Sequence, residues 1–150
     1  MVGFDADHCI VKYNIQNLTK HMSKVLGQDL HLRAGYPIEI TQIDQSYYDL
    51  GLNNAVWDIE NRTVLKLVEG KEVARAFIGS RELSREDIVR IYGDPPIFNT
   101  LNYPESIKQI LKPEGSHLSF FTFFDSAKIP LICWGIELME TGVIKDKTNF

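Results

Sequence analysis

The sequence has little cysteine, no long apolar run and no concentration of basic charge. Each shortage closes off a class of protein. Cys9 and Cys133 are the two cysteines among 150 residues, and four histidines are scattered along the chain. They have no short metal-type spacing, so neither a disulfide framework nor a structural zinc site is expected. Reduced thiols in a cytoplasmic protein are the reading that follows. No apolar stretch approaches the ~20 residues needed to cross a bilayer. The N-terminus lacks the basic, apolar and small-residue regions of a secretion signal. Lys and Arg number 16 against 20 Asp and Glu, a net charge of −4, and no basic run stands out. Neither nucleic acid nor an anionic membrane is therefore an expected partner. Internal repeats, low-complexity tracts and flexible linkers are also missing.

What is there suits one domain with a real core. The chain is 44% hydrophobic and 24% charged, ordinary values for a globular protein. Its organising stretch comes first. The apolar Met1-Val2-Gly3-Phe4 runs into Asp5-Ala6-Asp7-His8, and apolar sequence resumes at Ile10-Val11. This predicts a buried strand whose C-terminal end hands two carboxylates, spaced i and i+2, to a loop. In open α/β sheets that end of a strand is where ligands bind. The first Asp can act as a nucleophile and the second as a proton donor. From the spacing alone, an exposed acidic loop is an equal reading.

Asn14 is placed to cap a helix from Ile15 to about Leu26, with Ile15, Leu18, Met22, Val25 and Leu26 on one face and Gly27 as its stop. Lys20, His21 and Lys24 fall mostly on the wet side, and His31 also reads as solvated surface. Ala34-Gly35-Tyr36-Pro37 is a break, and periodicity does not decide residues 38–53. Residues 55–59, 63–68 and 73–78 are strand-like and read as a β-meander joined at Glu60-Asn61-Arg62 and Glu69-Gly70-Lys71. Within it Leu65 and Leu67 share a face opposite Lys66. Ser84-Arg85-Glu86-Asp87 begins a helix with a capping-box pattern. Ile88, Val89, Ile91 and Tyr92 form its apolar stripe, and Gly93 ends it. Asp94-Pro95-Pro96 forces an extended turn. Pro104 suits the first turn of a further helix, with Ile107, Ile110 and Leu111 inward. Leu118 to Phe124 is the most aromatic stretch and reads as core. Asp125-Ser126 can cap a last helix from Pro130 to about Thr141, with Leu131, Ile132, Trp134, Leu138 and Met139 apolar. The tail from Lys145 is polar.

Phe4-Asp5-Ala6-Asp7-His8, with Tyr13-Asn14 just after, resembles the Asp-x-Asp opening of the haloacid-dehalogenase (HAD) superfamily. It is closer still to the branch of cytosolic purine 5'-nucleotidases and their 5'-nucleotidase-domain relatives. Cys9 stands where that branch has Thr. The likeness continues in order. Gly51-Leu52 to Asp58, then Leu65-Lys66-Leu67, Gly70 and Val73, follow its Gly-Leu, Asp and Leu-Lys-Leu pattern. Ala76 and Gly79 match its Ala-x-His-Gly step, with Ile78 in place of His. Phe121-Thr122-Phe123-Phe124-Asp125, followed by Pro130-Leu131, is similar to its Phe-Thr-Tyr-Phe-Asp segment. The resemblance covers Val2 to Met139.

The resemblance implies a HAD-like α/β fold, present in part over residues 1–150. That part is the first core strand with its Asp-x-Asp loop, a helix, and the β-meander of the cap region. It implies a magnesium-dependent phosphatase acting on nucleoside 5'-monophosphates through an aspartyl-phosphate. Asp5 and Asp7 would be both catalytic residues and Mg²⁺ ligands. The family's Ser or Thr, its phosphate-binding Lys and its further acidic residues lie downstream of the last matched stretch. Thr122 mimics the first but falls in the Phe-Thr-Tyr-Phe-Asp match, Asp94 reads as part of a structural turn before Pro95-Pro96, and Lys108 and Lys112 read as helix-surface lysines. A truncated nucleotidase is thus one expectation. A non-catalytic fragment or degenerate relative that binds a partner is the alternative. A small α+β binding domain with an accidental acid pair survives only if the ordered matches are coincidence. A homo-oligomer stays open.

Overall fold

The computed structural model describes residues 12–48, 50, 55–98, 117–120 and 124–145. The predicted first strand with Asp5 and Asp7, the predicted helix beginning at Pro104, Phe121 to Phe123, and the tail after Lys145 lie outside the described residues.

Among the described residues the fold is mixed α and β, with four α-helices and one five-stranded antiparallel sheet. Helix α1 spans Ile15–Ala34, α2 Gln45–Tyr48, α3 Arg85–Tyr92 and α4 Lys128–Glu140. Strands β1 (Ala55–Asp58), β2 (Thr63–Leu67), β3 (Val73–Ile78), β4 (Arg81–Glu82) and β5 (His117–Ser119) pair in the order β4-β3-β2-β1-β5. The predicted meander is present as β1, β2 and β3. None of the described helices is long and apolar enough to cross a membrane.

The register explains why the middle strand is buried on both faces at Val64 and Leu65. Directly opposed residues point to the same face of a sheet. Val64 lies opposite Trp57 and Phe77, while Leu65 lies opposite Val56 and Ala76. Ala55, Val64 and Phe77 belong to one buried cluster with Ile129, Leu131, Ile132 and Ile136 of α4. Val56, Leu65, Val73 and Ala76 belong to a second cluster with Leu83, Phe98 and Ile88 of α3. The sheet is therefore covered on both faces, and the α4 side holds the larger core.

Helix α4 is buried nearly all round, from Ile129 to Met139. Its far side meets α1 and the 3₁₀ turn Ile38–Thr41. The start of α1 agrees with the sequence, because Asn14 accepts a hydrogen bond from Asn17 N–H. Its end does not. The helix runs eight residues past Leu26, and Gly35, at φ 75°, closes it by donating its N–H to the Leu30 carbonyl. Gly27 is inside the helix for a packing reason. A Cβ there would come within 2.9 Å of the Ile40 carbonyl oxygen. The innermost line of α1 runs through Ser23 and Gly27, and Ser23 Oγ sits 2.6 Å from the Ala127 carbonyl it donates to. Val25, expected inward, is 48% exposed because the closest packing follows small residues rather than the apolar stripe.

Gly27→Ala follows from this contact. Alanine favours a helix interior by about 1 kcal/mol. Overpacking against backbone costs about 1–3 kcal/mol. The contact should prevail, and the variant should unfold at lower urea than the parent. A gain in stability would show that the two backbones separate freely.

Three smaller corrections follow. Asp125 and Ser126 do not cap α4; they form a 3₁₀ turn that runs straight into it, and Ala127 holds the cap position without a side-chain bond. Asp125 instead receives Lys128 Nζ at 2.8 Å. His31 is half-buried rather than solvated, its Nδ1 donating to the Tyr36 carbonyl at 2.7 Å. In the aromatic stretch, Phe120 is buried as expected, but Phe124 is 48% exposed.

Candidate functional site

Asp5 and Asp7, the expected catalytic and metal-binding pair, lie outside the described residues, as does Cys9 beside them. The structure does describe the chain on both sides of the next step. Two residues after the described chain begins, Asn14 caps α1. Tyr13 just before it meets Phe124 edge to face, with ring centroids 6.4 Å apart. The chain that follows the acidic pair is thus held against the Phe-Asp stretch that leads into α4. These are two of the segments whose order carried the resemblance.

Among the described residues no group of three or more His, Cys, Asp or Glu side chains is arranged to hold a metal ion. Of the described stand-ins, Asp94 is exposed in the turn after α3. Thr122, Lys108 and Lys112 lie outside the described residues.

The described part holds two polar clusters that sequence reasoning missed. Asp58 ends β1 and is 2% exposed. Its Oδ2 accepts from Asn61 Nδ2 at 2.7 Å and from the Tyr92 hydroxyl at 2.9 Å, and its Oδ1 accepts from Asn61 N–H at 3.3 Å. Thr63, fully buried, shares a short hydrogen bond with the same Tyr92 hydroxyl. The carboxylate thus closes the β1–β2 turn and ties it to the last turn of α3. Burial pushes the Tyr92 hydroxyl well above its ordinary pKa; the Thr63 bond opposes this and the Asp58 charge adds to it. A neutral phenol and an occupied carboxylate make this a structural joint. Its sequence signal was an Asp at a strand end followed three residues later by Asn in a turn.

Tyr92→Phe should cost about 1–2 kcal/mol, because it leaves a buried carboxylate short of one donor. A urea titration reads the change. An unchanged midpoint would mean that Asn61 and water satisfy Asp58 without the phenol.

The second cluster joins α2 to α4. The Tyr47 hydroxyl donates to Glu137 Oε2 at 3.2 Å, and its ring meets Trp134 edge to face at 5.4 Å. Trp134 Nε1 in turn donates to the Glu39 carbonyl at 2.8 Å. Gly79, at φ 58°, brings the β3–β4 turn so close that a Cβ would stand 2.9 Å from Glu137 Oε2. Burial pushes the Tyr47 hydroxyl up to about 12, with a bond from Ser80 opposing and the Glu137 carboxylate adding to it. The phenol stays protonated and works as a donor. Gly79 is the glycine of the matched Ala-x-His-Gly step. The positive φ is what favours glycine here, since the near atom is the end of the flexible Glu137 side chain.

Cys133 is fully buried in α4, and its thiol is pushed up to about 12 by that burial. Thiolate is the reactive form. Native protein at pH 8 should therefore leave Cys133 unalkylated by iodoacetamide over minutes, and urea should expose it, as peptide masses would show. Rapid native labelling of Cys133 would mean that α4 opens readily.

The family model that matches this chain is that of the 5' nucleotidase family, over residues 1–149. Among curated proteins, the human 5'-nucleotidase domain-containing protein 1 is 28% identical over 93 residues, covering 62% of this chain and 20% of that protein. The Bos taurus protein of the same name is 27% identical over 93 residues, covering 62% of this chain and 21% of that protein. The matched span is thus about a fifth of the length of these relatives.

Proposed function

The chain belongs to the 5' nucleotidase family, and from that membership we propose that it carries the nucleophile and proton donor of a HAD-like phosphatase for nucleoside 5'-monophosphates. The observation that carries this reading is the family match beginning at residue 1, which takes in Asp5-Ala6-Asp7. Asp5 attacks phosphorus through a carboxylate oxygen, forming an aspartyl-phosphate as the bond to the ribose 5'-oxygen breaks. Asp7 gives its proton to that leaving oxygen. As a carboxylate it then takes a proton from water, which attacks phosphorus and frees inorganic phosphate and Asp5. Asp5 and Asp7 would hold Mg²⁺, which supplies charge neutralisation for the phosphoryl oxygens.

Phosphate release from a panel of nucleoside 5'-monophosphates, with Mg²⁺ and after its removal by EDTA, tests the reading. Release should stop on chelation and return on adding Mg²⁺ back. Hydrolysis that ignores EDTA would overturn the magnesium assignment.

A second reading has one observation in its favour: the matched span is about a fifth of the curated relatives. In it the chain is a non-catalytic relative that keeps the acid pair and acts through binding. Binding of a nucleoside monophosphate without turnover, measured by calorimetry in Mg²⁺, would favour this reading over catalysis.

A further inference from the structure

We draw no further inference here: the strongest candidate, the outer face of α1 where Val25 and Leu32 are exposed, is an unpartnered apolar face, and nothing in the structure shows what covers it.

Discussion

Asp5→Asn should abolish magnesium-dependent phosphate release, on the order of 10⁴-fold or more, because an amide cannot form the aspartyl-phosphate. Asp7→Asn should lose less, about 10²–10⁴-fold, the usual contribution of a positioned acid or base. The two losses should also differ in kind. Hydrolysis of p-nitrophenyl phosphate releases a phenolate that needs little protonation, so Asp7→Asn should keep more of its first step with that ester. Its second step, water attack, should still be slow, and a burst of p-nitrophenol should precede slow turnover. Asp5→Asn should show neither burst nor turnover. Phosphate release that survives Asp5→Asn would sink the nucleophile assignment. Equal losses for both esters in the first, bond-breaking step of Asp7→Asn, read from the burst or from single turnover, would sink its role as proton donor.

Phe77→Ala should cost about 3–5 kcal/mol, the range for removing a buried aromatic ring. The side chain is 2% exposed, in the β3 row that faces α4. Its ring lies in the larger cluster with Val64, Ile129 and Ile136, and the Arg75 guanidinium carbon caps it 4.8 Å from the centroid. The loss would remove much of the total if stability is in the ordinary range of about 5–15 kcal/mol. Urea unfolding measures it. Phe124→Ala supplies the contrast, because the same residue type at 48% exposure, with an edge contact to Tyr13, should cost only about 1 kcal/mol. If the two variants unfolded alike, the sheet-to-α4 contact would not be the main core.

Legibility in the sequence followed the range of the interaction. The α3 boundaries were readable because cap and stop are local. Ser84 Oγ accepts from Asp87 N–H three residues on, and Gly93 follows the last apolar residue. The strands of the meander were readable for a similar reason, since turn residues separate β-rich runs a few residues long. The end of α1 was not. Gly27 and Gly35 carry the same local signal, and the difference between them is Ile40, thirteen residues from one and on another element. The polar joints were hidden by the same distance. Asp58 meets Tyr92 at a separation of 34 residues, and Tyr47 meets Glu137 at 90.

By itself, then, the sequence determined the family and, among the described residues, the strands of the meander and the boundaries of α3. Side-chain chemistry and short-range backbone preference settle these without knowledge of the fold. The tertiary structure decided which apolar residues are core, which glycine ends a helix and which carboxylate is structural. Those outcomes depend on atoms brought together from distant parts of the chain, and close packing leaves each position one set of neighbours.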